Sequence, residues 1–287
     1  MRDLKALESL RGTSILVMVS GIYEDILEPL ARHLEAMEES EGLSLFLRTG
    51  GGDTTTAFNI VNLIRQYFKE FEIIIPNVAH SAGTLLSLGA SRLVMTKQAS
   101  LSPFDPSVRN DRINDGMNIS WRDVSYFLSS VRESFNLSTS GNPTQPLQTL
   151  IQNQVHPLLL GHAERTVSQI RTFAPPLLGN RHNRPAEEII HHFLESNTHH
   201  NFRFYRDEVS RMGLNVVHPT KVEEKLILSI FEDISKELDL SNHENKRGHV
   251  KALIQSSKYG KSVCINTKEF EGWMDEGERF TKAKLLS

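Results

Sequence analysis

The chain opens as an alternation of short apolar runs and longer amphipathic ones. Thr13–Gly21 (TSILVMVSG), Leu43–Arg48 (LSLFLR), Phe71–Ile75 (FEIII) and Arg92–Thr96 (RLVMT) are rich in β-branched and aliphatic residues, the pattern of buried strands. Between them, Ile26, Leu27, Leu30, Leu34 and Met37 make one helical stripe. Ala57, Ile60, Val61, Ile64, Tyr67 and Phe68 make another, with Asp53 or Thr54 placed to cap it. Pro29 falls in the first turns of its helix, where a missing N–H is tolerated. After Ser81 the chain restarts as a helix of small and aliphatic residues. Strand and helix in short succession predict crossover connections and a mainly parallel sheet, an α/β fold.

Past about residue 105 the pattern turns helical and polar. Residues 107–118 read as a polar loop, and residues 120–135 as a helix with Ser120 as its cap. A turn-rich linker follows, then a long helical stretch, bent or interrupted at Pro157 and stopped by Pro175-Pro176. Pro185 begins another helix, and RDEVSRMGL and KVEEKLILSIFEDISKELDL supply two more. The last segment alternates around Lys258-Tyr259-Gly260-Lys261 and reads as a β-hairpin. This organisation predicts a core over residues 10–178, a helical extension over 179–240, and a hairpin with its tail over 245–287.

Composition narrows the function classes. A chain of 287 residues, 39% hydrophobic and 23% charged with a formal charge of -3, has no basic excess for nucleic acid or an anionic membrane. One cysteine, Cys264, rules out an internal disulfide framework and suits a reducing compartment. The charged N-terminus lacks a signal-peptide core, and no apolar run approaches the ~18 residues of a membrane span. A cytoplasmic protein is expected. His191-His192 and His199-His200 lack an accompanying metal motif and read as solvated surface, so neither metal nor cofactor is expected.

Two turns carry the candidate chemistry. LRTGGGD (Leu47–Asp53) and VAHSAGT (Val78–Thr84) each follow the carboxyl end of a buried strand and open a helix. Ligands bind at those strand ends in open parallel sheets. Glycines let backbone N–H groups approach an anion, and helix N-termini add partial positive charge. Converging turns of this kind form an oxyanion hole with a serine in reach. Taken singly, Gly50-Gly51-Gly52 is equally a tight turn or a phosphate cradle, although no Walker-type lysine follows it. Ser81, taken singly, is equally an N-cap. The turn is not the G-x-S-x-G nucleophile elbow, since Ala79 and His80 precede the serine.

Taken together, Thr49-Gly50-Gly51-Gly52, Ala79-His80-Ser81-Ala82-Gly83-Thr84 and Leu101-Ser102-Pro103-Phe104-Asp105-Pro106 resemble the Clp-protease/crotonase superfamily. The similarity is to its serine dehydrogenase proteinase branch, relatives of signal peptide peptidase A, and covers roughly residues 10 to 218. The resemblance implies a spiral of β-β-α units with helices at the edge, ring-like homo-oligomers, and a peptide or protein substrate. It makes Ser81 the nucleophile and assigns the oxyanion donors to the backbone of Gly51, with Gly52 beside it, and of Ala82.

The general base departs from the family pattern. No histidine occurs between Ala82 and Val155, and no lysine between Gln98 and Thr220. Where relatives carry a helical lysine, this chain offers Arg122 or Arg165, and arginine stays protonated at neutral pH. His162 and His156 are the candidate bases, Asp105 their candidate orienter, and His80 adjoins the nucleophile in sequence. Three readings stay open: a serine peptidase, an inactive oligomeric scaffold or binding protein, and a crotonase-like enzyme acting on an acyl-thioester.

Overall fold

The computed structural model describes residues 2–104, 107–109, 118–120, 126, 129–130, 157–179, 183–195, 202–240, 250–266 and 271–275. Its strands are β1 (Ser14–Val19), β2 (Leu43–Arg48), β3 (Phe71–Ile75), β4 (Val78–Ala79), β5 (Arg92–Met95), β6 (Ser100–Leu101), β7 (Ser107–Arg109), β8 (Asn118–Ser120), β9 (Phe204–Tyr205), β10 (Val216–Val217), β11 (Val250–Ser256), β12 (Gly260–Asn266) and β13 (Glu271–Asp275). Its helices are α1 (Arg2–Arg11), α2 (Leu27–Ala36), α3 (Thr54–Tyr67), α4 (Ala82–Ser87), α5 (Pro157–Leu178), α6 (Ala186–Glu195), α7 (Arg206–Arg211) and α8 (Lys221–Glu237). A 3-10 turn, Glu24–Ile26, precedes α2.

One sheet of eight strands, ordered β10-β5-β3-β2-β1-β11-β12-β13, organises this mixed α/β fold. From β10 to β1 the pairings are parallel, and from β1 to β13 antiparallel. The central strands are apolar on both faces because both faces are covered. Leu16, Met18, Leu45 and Leu47 pack with α2, α3 and α4, whereas Ile15, Val17, Val19 and Phe46 pack with α1 and α8. Leaving the large sheet, β2, β3 and β5 each add a short second segment. Thr49 bridges Ala79, Gly52 bridges Ile22, and β4-β6-β9 form a three-stranded sheet. The succession β3-β4-α4 is the β-β-α unit expected from the resemblance.

Several elements differ from the sequence reading. Helix α1 was not expected; its charged sequence conceals Leu4 and Leu7, which it buries against α8. In the expected loop over 107–118, β7 and β8 pair antiparallel, so Ser120 ends a strand instead of capping a helix. Most of the helix expected there, and the linker after it, lies outside the described residues. Pro175-Pro176 does not stop α5, which runs to Leu178. Both prolines sit in the last turn, where Gly179 at φ 56 donates its N–H to Pro175 O. Arg65 covers the carbonyls of Pro176 and Leu177 at 3.2 and 2.7 Å. The terminal hairpin is present as β11 and β12, and β13 adds a strand the sequence reading lacked.

Two buried polar groups fasten this architecture. Glu72, 3% exposed, receives Arg11, Arg92 and the Ser44 hydroxyl, while Arg11 also reaches Glu223 of α8 at 2.6 Å. Burial pushes the Glu72 carboxyl up, but hydrogen bonds from Arg11 and Ser44 outweigh it and hold the group below the ordinary range. His33 of α2 is wholly buried between β11 and β12, its Nδ1 3.0 Å from Ser256 Oγ and its Nε2 3.1 Å from Ser262 Oγ. Ser262 donates to Asp275 Oδ1 at 2.5 Å, which leaves its oxygen to accept from a protonated Nε2. Nδ1 is then the acceptor, taking the Ser256 proton, while Ser256 Oγ accepts the Tyr259 N–H at 3.1 Å. Every site in the chain is filled by a neutral imidazole.

Burial accordingly lowers the His33 pKa to about 4, against a smaller raising effect of Asp275 and a lowering one of Arg32. The unfolded chain takes up this proton below about pH 6.5, the folded protein only near pH 4. Stability is thus complete above pH 6.5 and lost as pH falls toward 4, by about 2 kcal/mol at pH 5. Denaturant titrations at pH 7 and pH 5 should show that loss. His33→Gln, less stable at pH 7, should show a smaller difference between the two pH values.

Candidate active site

The sequence brings Ser81 to the carboxyl end of β3 through Pro76 and β4, and the second turn to the adjacent end of β2. The turns are then stitched together. Thr49 N donates to Val78 O at 3.1 Å and His80 N to Thr49 O at 3.2 Å. On the other side, Ile22 N donates to Gly51 O at 2.9 Å and Asp53 N to Ile22 O at 2.8 Å. Gly51, at φ +113, lies so close that an added Cβ would fall 2.8 Å from Ser81 Cβ and 2.9 Å from His80 O. Gly52, at φ +149, would drive one to 2.2 Å from Ile22 O. These two positions require glycine for both conformation and space.

Ser81 occupies an unusual conformation, φ 52 and ψ -117, and its side chain makes no capping hydrogen bond to α4. The capping alternative is therefore not what this hydroxyl does. Its backbone is fixed by neighbours: Ser81 N donates to Ser102 Oγ at 2.8 Å, and Ser102 donates onward to Pro103 O. Thr84 Oγ1 lies 3.0 Å from Ala79 O and accepts the Ser102 N–H at 3.1 Å. A non-glycine residue held at positive φ costs of order 1–3 kcal/mol, and such strain collects at functional sites. Helix α4 buries Leu85, Leu86 and Leu88 behind the serine.

The amides around the hydroxyl are unequally committed. Gly51 N donates to Thr49 Oγ1 at 3.1 Å. Gly83 N donates to His80 O at 2.8 Å and Leu85 N to Ser81 O at 3.2 Å. The N–H groups of Gly52 and Ala82 have no acceptor among the described residues. Asp53 caps α3, with Oδ1 accepting from Thr56 N at 2.6 Å and Thr56 Oγ1 at 2.9 Å.

A cavity of about 730 Å³ opens above the two turns, lined by Gly50–Gly52, Ser81, Tyr23 and Phe104 and by one face of α5. That face is His162, Arg165, Thr166, Gln169 and Ile170, at helical spacings of three and four. Helix α5 is seated on α3 by Phe58 stacked on Phe173, ring centroids 4.5 Å apart, by Thr54 Oγ1 donating to Gln169 at 3.3 Å, and by Arg65 at its far end. This docking brings His162 to the same cavity as Ser81. His80 is engaged elsewhere, with Nε2 3.0 Å from Ser100 Oγ. Asp105 and His156 lie outside the described residues. Tyr23 and Gln169 were not anticipated. The spacing from His162 to Gln169 was the available signal for the second, and nothing in the sequence marks the first. Among the described residues no group of histidine, cysteine and carboxylate side chains suits a metal ion.

Substitutions separate strain from chemistry. Ser81→Gly should be more stable than Ser81→Ala by about 1–3 kcal/mol in denaturant titration, because only glycine relieves the backbone. Gly52→Ala should lower the melting temperature more than Gly51→Ala, since its Cβ would fall 2.2 Å from the backbone at Ile22 O, a harder clash than the 2.8 and 2.9 Å met at Gly51.

Known proteins are similar to this chain to different degrees. Two uncharacterized proteins of Methanocaldococcus jannaschii are 22% and 23% identical, over 75% and 79% of this chain and 72% and 75% of their own lengths. Among solved structures, the 1510-N membrane-bound stomatin-specific protease aligns at 16% identity and a TM-score of 0.42, covering 77% of this chain and 82% of that one. A ClpP1 variant from Listeria monocytogenes aligns at 9% identity and the same TM-score, over 78% and 99%. The segment holding both turns, residues 12–119, matches the family of ClpP-like SDH-type serine proteinases.

Proposed function

We propose that the protein is a serine peptidase that cleaves peptide bonds through an acyl-enzyme on Ser81. The observation that carries this reading is the uncapped Ser81 hydroxyl, held on a strained turn in one cavity with Gly52 and next to Ala82, whose amides have no acceptor among the described residues. The match of residues 12–119 to a serine proteinase family supports it. In the proposed reaction Ser81 Oγ attacks the peptide carbonyl carbon, and its proton passes to the His162 imidazole. The carbonyl oxygen becomes an oxyanion between the N–H groups of Ala82 and Gly52. Collapse breaks the C–N bond, and the leaving amine takes the proton from His162. Water, deprotonated by the same imidazole, then releases the acyl group and restores the serine.

The resemblance assigns Gly51 as an oxyanion donor, but its N–H is directed to Thr49 Oγ1. Gly52, the next residue of the same turn, has an amide with no acceptor among the described residues, as does Ala82 at the start of α4. Losing one such donor typically costs about 2.7–4 kcal/mol of transition-state stabilisation. A guanidinium does not act as a base at neutral pH, so His162, which lines the cavity with Ser81, is the proposed proton acceptor among the described residues. A homo-oligomer, implied by the superfamily resemblance, is part of the proposal. Sedimentation at micromolar concentration should give a mass above the monomer.

A fluorophosphonate probe tests the chemistry. Wild-type protein should be labelled at Ser81, Ser81→Ala should not be labelled, and His162→Ala should react about 10²–10⁴ times more slowly. Labelling unaffected by His162→Ala would remove that residue from the mechanism. No labelling of the wild type would favour a scaffold or a crotonase-like enzyme.

A further inference from the structure

The cavity above Ser81 is electrically asymmetric. Among the described residues its lining contains one carboxylate, Asp53, and that group is turned onto Thr56 as the cap of α3. It also contains one guanidinium, Arg165, a single helical turn beyond His162 and on the same face of α5. Arg165 is exposed and pairs with no acceptor among the described residues. Elsewhere in the described structure Arg11 is committed to Glu72 and Glu223, Arg92 to Glu72, and Arg65 to carbonyls of α5, whereas Arg48, whose Nε is buried without a hydrogen-bond partner among the described residues, does not line this cavity. The amino end of α3, a helix of 14 residues, meets the cavity at Thr54 and adds partial positive charge there.

An exposed arginine on a helix is commonly a solvated surface group. Three facts set Arg165 apart: it lines a concave site, it shares that site with the proposed base and nucleophile, and no carboxylate among the described residues pairs with it. A planar fork of N–H donors at such a place matches a carboxylate in bidentate fashion, which an ammonium does not. We propose that Arg165 is a specificity residue that anchors a substrate carboxylate next to the scissile bond. The substrate class is then an acidic peptide, carrying either an Asp or Glu side chain or its own terminal carboxylate at that position. This rests on the peptidase reading, with the bond cleaved by Ser81 and the carboxylate held one helical turn from His162.

Four peptides of one sequence test it: a Glu peptide with an amidated end, its Gln counterpart, the Gln peptide with a free carboxyl end, and a Lys counterpart. Binding is measured by fluorescence anisotropy on Ser81→Ala, and kcat/KM on protein with Ser81 intact. At least one carboxylate-bearing peptide should bind about 10-fold or more tightly than the Gln amide, as a charge-assisted hydrogen bond allows. The Glu and free-end arms tell side chain from terminus. Arg165→Ala and Arg165→Gln should erase the preference at unchanged melting temperature, and Arg165→Glu should turn it toward the Lys peptide. Equal affinity for acid and amide, a preference that survives Arg165→Ala, or no binding of either carboxylate peptide at millimolar concentration overturns the inference. Because binding is read without Ser81, absence of fluorophosphonate labelling would defeat the peptidase reading while leaving this comparison decisive.

Discussion

A chain with side chains cannot pass between Ile22 and Ser81. The backbone of Gly51 and Gly52 does so, with the Gly51 carbonyl and the following Asp53 amide paired to Ile22 on one side and its surface against the serine on the other. This close passage joins the end of β2 to the end of β3 and gives the cavity its floor. It also accounts for the strain at Ser81. The serine has Gly51 pressed on its Cβ, Ser102 holding its N–H, and a helix starting at the next residue. Hydrogen bonds around it fix a backbone conformation that the residue itself disfavours, and the hydroxyl is left uncommitted to the helix.

The second half of the site is delivered by packing. Helix α5 contributes no strand and no sheet pairing, yet it brings His162 and Arg165 to the cavity that Ser81 lines because its other face is apolar. Ala163, Val167, Ile170, Ala174, Leu177 and Leu178 are buried, several of them in the same core as α3 and α4. Arg65 of α3 ties down the proline-containing end, where two N–H groups are missing and carbonyls need other donors. The two halves therefore share one hydrophobic core, and the position of the histidine relative to the serine is set by α3, which touches both.

What could be read from the sequence follows from the range of the interactions involved. β2 and β3 were legible to the residue, and the cap of α3 to one of two neighbours, Asp53 or Thr54, because apolar runs and capping residues are local signals. The serine and glycine turns were legible as a pair because each stands at a strand end. By contrast, α1 reads as a charged segment whose two core leucines have partners more than two hundred residues away. The prolines of α5 looked like a stop because the arginine that satisfies the helix end lies 111 residues earlier. β13 is short and contains Gly272, so its strand character comes from pairing with β12 and not from its own composition. Commitment of the Gly51 amide to Thr49 depends on turn geometry, which a run of three glycines does not specify.

The pairing of β1 with β11 joins Leu16 to Ser256 and Val19 to Leu253. On a ribosome β2 soon follows β1 and completes one of its edges. The other edge stays bare while more than two hundred further residues are made, because the strand that covers it lies that far along the chain. An uncovered edge of this kind is open to pairing with another chain. Closing the sheet thus waits for β11, and the buried imidazole between α2, β11 and β12 is sealed only at that moment.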